Sequence, residues 1–225
     1  MLVLAVDTAT RDCSVALADS EDTIAELSFF RARTHSKHLT YMVDALLDVA
    51  GIRIEEVDAY AVNSGPGTFT GLRIGLAAIK GIAAATGKPL VGVSSLDALA
   101  GQAGFPPGYV CCMIDARRGE VYTALYAVTG EKVDRISAEK VISPREAAGS
   151  IKTPCLFIGS GAVAYRDLIL KFADETARIA GHDLNHLKAS TIARMGLRQL
   201  ENCDFTGDES LVPNYIRKSD AKINK

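Results

Sequence analysis

Two aspartates of this chain lie at positions where a phosphate group could bind. Asp7 follows an apolar run and opens the turn DTAT, and Asp115 follows a second apolar run and opens the turn DARR. A phosphate cradle needs backbone amides that approach the phosphate closely, and a glycine beside the aspartate normally allows this. Neither turn has that glycine, although Thr8, Thr10 and the two arginines could contact an anion. Both turns are also explained as ordinary turns without a ligand.

Histidine and serine patterns indicate neither a metal centre nor a nucleophile. His35 and His38 are three residues apart in HSKH, whereas a zinc hydrolase requires two histidines four apart with a glutamate between them. His182 and His186 are four apart, but the neighbouring Gly181 and Asn185 favour a loop. Ser64 lies in NSGPG, which lacks the GxSxG of a nucleophile elbow. We therefore assign no catalytic residue and no metal ligand.

A third polar group, Arg117, Arg118 and Glu120, lies at the second corner. Two interpretations remain open. The residues could form a structural ion pair, or they could contact a partner or a ligand in the cleft between two lobes.

The elements that position these groups are organised around residues 58–89, which predict a strand over 60–63, a glycine loop and a helix over 71–86. On this helix only Arg73 and Lys80 are charged, so it must be covered on more than one side. A preceding helix over 36–50 carries an apolar face and a weaker second apolar stripe. The surplus apolar surface is either buried within one domain or meets another chain. The candidate partner-facing residues are Leu39, Met42, Val43, Leu46, Gly71, Leu72, Gly75, Leu76 and Ile79.

The two small residues Gly71 and Gly75 are expected to let a partner helix come close. On this interpretation, a bulky residue at Gly75 would weaken assembly and leave the lobe folded.

The composition excludes some function classes. A formal net charge of -2 provides no excess of positive charge with which the chain alone could bind nucleic acid. The apolar runs are short and broken by Asp, Arg or Gly, so we expect no membrane span. The five cysteines form no CxxC pair, and the first strand has no basic leader, which predicts reduced thiols in a cytoplasmic protein.

The two halves of the chain repeat one topology. Each shows the order strand, strand, strand, helix, strand, helix, with Asp7 and Asp115 at matching corners. The Gly- and Pro-rich stretch 101–108 separates them, so we predict an α/β protein with lobes over 1–105 and 106–225. The last helix, over about 189–202, could pack back on the first lobe. The polar tail after Asn214 is expected to fray.

Two lobes of this topology suggest the superfold of actin, hexokinase and heat-shock ATPases (ASKHA). In that superfold the turn Gly159-Ser160-Gly161 would contact adenosine. The weak cofactor-binding candidates are therefore Asp7, Thr8, Thr10, Asp115, Gly159 and Gly161. The segments LAVDTAT, RTHSKHL, NSGPGTFTGLRIGLAAIKG, GVSSLDALA and DARRGEVY resemble more specifically the bacterial TsaB (YeaZ) family, as do GSGA at 159–162 and VPNYIRK near the end.

The resemblance implies a role in making N6-threonylcarbamoyladenosine next to the anticodon of tRNAs that read codons beginning with A. In that family TsaB is the non-catalytic companion of TsaD, which carries the metal and transfers the threonylcarbamoyl group, and TsaE is the associated ATPase. The family's first two long helices pack on those of TsaD as a four-helix bundle, or on a second copy as a homodimer. They match residues 36–50 and 71–86 here. tRNA would be reached only through the complex, and ATP or ADP could bind at its interface.

The alternative is an enzyme of the same superfold, a small-molecule kinase or nucleotide hydrolase. The lack of glycine beside Asp7 and Asp115 argues against this alternative. Relatives have also been labelled peptidases, but these residues provide no catalytic basis for that activity.

We expect calorimetry with ATP to detect no micromolar binding by the isolated chain, because both corners lack the close-approach glycine. Phosphate release from ATP that disappears in Asp7→Ala would instead support the kinase or hydrolase.

Overall fold

Two mixed β-sheets with helices packed on them form the framework of the protein. The computed structural model describes residues 1–30, 35–104, 108–130, 132–202 and 210–217. The first half of the chain contains β1 Val3–Asp7, β2 Cys13–Ala18, β3 Thr23–Phe29, α1 His35–Ala50, β4 Ala59–Gly65, α2 Phe69–Thr86, β5 Leu90–Ser94 and α3 Ser95–Gln102. The second half contains β6 Gly108–Arg117, β7 Glu120–Thr129, β8 Lys132–Arg135, β9 Lys140–Ile142, α4 Pro144–Gly149, β10 Cys155–Ile158, α5 Ser160–Ala164, α6 Arg166–Phe172, β11 Arg178–Ile179 and α7 Ala189–Glu201.

The two sheets are built in the same way. In the first, with order β3-β2-β1-β4-β5, β1 pairs antiparallel with β2 and parallel with β4. In the second, with order β11-β10-β6-β7-β8, β6 pairs antiparallel with β7 and parallel with β10, and β9 also pairs with β7. The predicted α/β class and the repeat of topology are confirmed. Asp7 accordingly ends β1, and Asp115 lies two residues before the end of the equivalent strand β6.

Both faces of the first sheet are covered. Every residue of β1 and β2 is buried, as expected for strands that pack on helices from two sides. Alternate residues of β1 point to opposite faces: Leu4 and Val6 pack with α1 and α2, whereas Val3 and Ala5 pack with α3 and α7. Helix α7 contacts β1, β2, β4 and β5, so a helix from the end of the chain completes the core of the first sheet.

Helix α2 fits closely against the turn that follows β1. A Cβ atom added to Gly71 would overlap the Thr8 carbonyl oxygen, and one added to Gly75 would overlap the Thr8 hydroxyl. A Cβ atom added to Gly81, six residues further along the same helix, would meet nothing within 4 Å. The first two glycines are therefore required by the chain's own packing, and the third is not.

Helix α2 corrects the expectation that no segment reaches the length of a membrane span. Its 18 residues have a mean hydropathy of 1.2, enough by length and composition alone to cross a membrane, and 33% of them are buried. The buried residues pack the helix on the first lobe: Gly71, Leu72, Gly75, Leu76, Ile79 and Ala83. Helix α2 therefore covers a sheet and also carries apolar surface that the described residues do not cover.

The glycines of α2 provide a matched pair of substitutions. We expect Gly71→Ala to lower the free energy of unfolding by about 1–3 kcal/mol, because the methyl group forces α2 away from Thr8. Gly81→Ala should raise it by about 0.5–1 kcal/mol, since alanine restricts the unfolded chain and meets open space. Urea unfolding followed by circular dichroism measures both. Equal effects at the two positions would contradict the packing described for Gly71.

Candidate functional site

The first strand corner is a buried hydrogen-bond network centred on Asp7. One carboxylate oxygen, Oδ1, accepts a hydrogen bond from the backbone N–H of Ala9 at 3.0 Å and another from Asn63 Nδ2 at 2.6 Å. Asn63 Oδ1 in turn accepts from the backbone N–H of Gly65 at 2.9 Å and from the Ser95 hydroxyl at 2.6 Å. The network therefore ties the ends of β1 and β4 to the start of α3.

The loop between β4 and α2 covers this corner. The backbone N–H of Thr68 donates to the Ala9 carbonyl oxygen at 2.7 Å, and the Thr8 hydroxyl donates to the Gly71 carbonyl oxygen at 2.7 Å. Asp7 is fully buried and Thr8 is 2% exposed. The Ala9 amide and the Thr8 hydroxyl, which a phosphate would need, thus already have partners within the chain. Thr10 is half-buried, and its hydroxyl accepts a hydrogen bond from the backbone N–H of Asp12 at 3.3 Å.

Burial also changes the chemistry of Asp7. Loss of water raises the pKa of its carboxyl group to about 7, and the nearby charge of Asp12 adds to the rise, while the hydrogen bonds from Ala9 and Asn63 oppose it. The second oxygen, Oδ2, has no hydrogen-bond partner among the described residues. A carboxyl group in this state could act as an acid or a base only if a substrate could reach it, and the loop above prevents that.

The second corner places Asp115 and the two candidate glycines together. Asp115 Oδ1 accepts from the backbone N–H of Arg117 at 2.9 Å, and the Asp115 N–H donates to the Ser160 hydroxyl at 3.1 Å. A Cβ atom at Gly159 would overlap the Met113 carbonyl oxygen, and one at Gly161 would lie 2.9 Å from a methyl group of Val121. Both glycines therefore have a structural explanation, the close packing of α5 on β6 and β7.

Residues 210–217, which we call the C-terminal strap, connect the two corners. The backbone N–H of Asn214 donates to the Ser64 carbonyl oxygen at 2.7 Å, beside the end of β4. Arg217 donates to the Ala116 carbonyl oxygen at 2.9 Å and forms an ion pair with Glu120. The expectation that the tail after Asn214 frays is therefore wrong for residues 215–217, because these contacts hold the tail as far as Arg217. For residues 218–225 the expectation lies outside the described residues.

The strap also settles the partner of one residue in the Arg117, Arg118 and Glu120 cluster. Glu120 pairs with Arg217 of the strap. Arg117, the last residue of β6, and Arg118, in the turn that follows, adopt left-handed backbone conformations with φ of 60° and 55°. The structural ion pair, one of the two open interpretations, thus forms with a residue that sequence reasoning did not consider.

The rings of His38, His182 and His186 have different neighbours. The ring of His38 contacts the ring of Phe29 with centroids 4.9 Å apart, while His186 Nδ1 lies 2.6 Å from a carboxylate oxygen of Asp12. His182 lies in a short 3-10 turn, where the sequence predicted a loop rather than a longer helix. Its ring centroid is 5.1 Å from that of His186. Across the described ranges, no group of three His, Cys, Asp or Glu side chains is placed to hold a metal ion.

The residues predicted to face a partner lie instead in the core of the chain. Each of the seven large side chains is at most 7% exposed: Leu39, Met42, Val43, Leu46, Leu72, Leu76 and Ile79. Gly71 and Gly75 allow α2 to approach Thr8 rather than a second helix. The assignment of individual residues is therefore corrected, and the expected effect of a bulky residue at Gly75 is wrong, since it would disturb the lobe itself. The location of an interface on α1 and α2 stays a prediction.

The accessible side of the two helices carries different residues. On α1, Tyr41 is 73% exposed and Val49 is 82% exposed. On α2 the exposed residues are mostly small: Ala77, Gly81, Ala84 and Ala85. A groove of about 220 Å³ runs between the helices. Residues from β1, both helices and the loop after α1 line it: Val6, Leu39, Thr40, Val43, Asp44, Leu47, Ile54, Ala78, Ile79 and Ile82.

Comparison with known proteins identifies the family. A family model described as TsaD, tRNA N6-adenosine threonylcarbamoyltransferase, matches residues 30–225. A Haemophilus influenzae protein named tRNA threonylcarbamoyladenosine biosynthesis protein TsaB is 36% identical over 181 residues, which cover 73% of this chain and 74% of that protein. The Bacillus subtilis protein of the same name is 28% identical over 225 residues, covering 99% of this chain and 96% of its own length. The chain belongs to the TsaB family.

Solved structures agree with the TsaB assignment and with the predicted superfold. A Pseudomonas aeruginosa protein, described as similar to the peptidase YeaZ, has a TM-score of 0.82 at 29% identity and covers 96% of this chain and 99% of its own. A hexokinase of the ROK type from Thermus thermophilus has a TM-score of 0.51 at 12% identity over 90% of this chain and 100% of its own, a likeness of fold alone. The resemblance to the TsaB (YeaZ) family and the ASKHA fold are thus confirmed.

The raised pKa of Asp7 predicts how stability changes with pH. The unfolded state loses this proton near pH 3.8 and the folded state near 7, so the folded state binds more protons between these values. The stabilisation is complete below about pH 4 and falls by about 1.4 kcal/mol per pH unit until it is lost above pH 7. Asp7→Asn retains the Oδ1 acceptor and carries no charge, so we expect its unfolding free energy to vary less between pH 5 and 7.

Urea unfolding at several pH values measures this difference. Asp19→Asn is the control, because hydrogen bonds from the backbone of Asp22 and Glu21 lower the pKa of the exposed Asp19 carboxyl group. The stabilisation from Asp19 is lost only below pH 4, outside the window. Parallel pH profiles for the wild type and Asp7→Asn would contradict the assignment to Asp7.

Proposed function

We propose that this chain is an accessory subunit in the biosynthesis of tRNA threonylcarbamoyladenosine. In this role it binds and activates a TsaD-like transferase through the outer face of α1 and α2. Membership of the TsaB family supports the process, because the relatives that align along most of the chain are named for it. The acceptor would be N6 of the adenosine next to the anticodon, as the family resemblance implies.

The observation that carries this proposal is the uncovered side of α2. A helix that is apolar nearly all round is normally covered on more than one side. Here the sheet covers one side, while Ala77, Gly81 and Ala84 face outward. Gly81 costs helix stability relative to alanine, and no described neighbour needs the space that it leaves. A helix of another protein that packs closely on α2 would explain both the exposed apolar surface and the glycine.

Helix α1 contributes the other half of this face. Tyr41 and Val49 are large and exposed, and the groove between the two helices has apolar walls formed by Val43, Leu47 and Ile82. Aromatic and aliphatic side chains of a partner that enter such a groove become fully desolvated, which is where binding energy concentrates in interfaces. Two helices of the transferase laid across α1 and α2 would complete a four-helix bundle.

The corners support a role without catalysis by this chain. Asp7 is fully buried, and Asp115 accepts hydrogen bonds within its own turn and from Tyr165 at 3.4 Å. The alternative kinase or hydrolase would require the loop over Asp7 to move. We therefore propose no cofactor for the isolated chain and assign any ATP or ADP to the interface of the complex.

Other partners follow from the same proposal. A TsaE-like ATPase would join the complex of the two subunits, and tRNA would contact this chain only within that complex, since a net charge of -2 does not favour binding RNA alone. Without the transferase, the same face would pair with a second copy as a homodimer.

Size exclusion with light scattering tests the proposal on the purified chain, alone and mixed with the TsaD-like protein of the same organism. We expect a 1:1 complex that forms at the expense of any homodimer. Gly81→Leu should weaken the complex by about 2 kcal/mol or more, because the new side chain holds the partner helix away. Its unfolding free energy should remain close to that of the wild type, because the position is open.

Arg194→Leu is the matched control. It places the same leucine at an exposed position of α7, away from the proposed face. A complex that survives Gly81→Leu would move the interface elsewhere on the molecule. The absence of any complex at low and high salt, with and without nucleotide, would overturn the proposed function.

A further inference from the structure

The arginine on the outer face of α2 is held in a fixed orientation by two aromatic side chains. The guanidinium carbon of Arg73 lies 3.7 Å from the centre of the Phe69 ring. Its Nε donates a hydrogen bond to the Tyr215 hydroxyl at 2.9 Å. The rings of Phe69 and Tyr215 are stacked with centroids 4.9 Å apart. Tyr215 belongs to the C-terminal strap, so 142 residues of sequence separate it from the arginine that it orients.

The charge of Arg73 is not neutralised within the described part of the chain. No carboxylate in the ranges 1–30, 35–104, 108–130, 132–202 and 210–217 forms an ion pair with it. The Tyr215 hydroxyl uses Nε, and no hydrogen bond from the two terminal amino groups is found in those ranges. These two groups form the planar fork that binds both oxygens of a carboxylate. The guanidinium group of Arg73 is therefore oriented before any ligand binds, and its two terminal amino groups are available to one.

The position of Arg73 links it to the proposed interface. Arg73, Ala77, Gly81 and Ala84 follow one another along the exposed side of α2. With a rise of about 1.5 Å per residue, Arg73 lies about 12 Å from Gly81 along the helix. A partner helix that packs on Gly81 would pass over Arg73 within about two turns. The aromatic pair also shields one side of the guanidinium group from water, which strengthens its attraction for an anion.

We propose that Arg73, oriented by Phe69 and Tyr215, binds the carboxylate of one Asp or Glu side chain of the TsaD-like partner. This inference rests on the proposed function and adds the chemistry of one contact to it. A protein carboxylate suits the surroundings better than the phosphates of RNA. On α2 the exposed residues beyond Arg73 are small and apolar, and the one further cation, Lys80, is half-buried, while the exposed residues of α1 include Asp44 and Asp48. An RNA backbone would require several neighbouring cations in place of these.

Calorimetric titration of the TsaD-like protein into this chain tests the contact. We expect Arg73→Gln to raise the dissociation constant of the complex about tenfold at low salt, because the neutral amide of glutamine cannot form the charged bidentate pair with a carboxylate. The difference from the wild type should shrink as salt is raised. Arg73→Lys should recover only part of the affinity, since an ammonium group lacks the planar fork.

Tyr215→Phe separates positioning from binding. It retains the ring that stacks on Phe69 and removes only the oxygen that accepts the hydrogen bond from Arg73. We expect a weakening smaller than that of Arg73→Gln, with an unchanged melting temperature. Arg145→Gln, at an exposed arginine that also contacts a phenylalanine ring but lies on α4, should leave the affinity unchanged.

The outcomes distinguish this inference from the proposed function. If Arg73→Gln binds as tightly as the wild type while Gly81→Leu does not bind, the carboxylate contact is wrong and the interface stands. If the wild type does not bind the TsaD-like protein, both fail. An equal loss of affinity at every salt concentration with a lowered melting temperature would give Arg73 a structural role and overturn the inference. A loss of tRNA binding without a change in partner affinity would overturn it in favour of RNA.

Discussion

The close approach of α2 to the turn after β1 is the constraint on which the rest of the structure depends. The helix starts beside Thr8 and Ala9, and Gly71 and Gly75 leave no room for larger side chains there. The same approach buries Asp7, places the β4–α2 loop over the corner and fixes which side of α2 faces the sheet. Because the helix is apolar nearly all round, its remaining side is necessarily an apolar surface. The closed corner and the accessible helix face are thus two results of one packing arrangement.

This arrangement also closes the first of the two equivalent corners of the fold. The two sheets provide two equivalent corners, one at the end of β1 and one near the end of β6, and an aspartate lies at each. At the first corner the space beside the aspartate is filled by backbone, and at the second the glycines serve helix packing.

Much of the fold could be predicted from the sequence, because its signals are local. Apolar runs that end in Asp7 and Asp115, the glycine loop before α2 and the Gly- and Pro-rich stretch 101–108 each depend on neighbouring residues. Which side of α2 faces outward could not be predicted, since nearly all its positions are apolar and periodicity carries no information there. The distinction between Gly75 and Gly81 requires knowing where Thr8 lies.

The parts of the candidate site that sequence reasoning missed depend on distant contacts. Asn63 and Ser95 complete the network around Asp7, and neither stands out beside the glycine loop. The strap was expected to fray because its sequence is polar, yet Tyr215 and Arg217 find partners far away in the chain. The motif VPNYIRK carried the resemblance and could have indicated a structural role for these residues.

The position of α7 has a consequence for how the protein is made. The strands of the first sheet are complete once residue 94 has been synthesised, but the helix that covers one of their faces spans Ala189–Glu201. A nascent chain that has left the ribosome only as far as the second sheet therefore exposes Val3, Ala5, Ala61 and Val91 to water. During translation this face of the first lobe therefore lacks its largest covering helix until α7 has been synthesised, and until then it is a surface that chaperones could recognise.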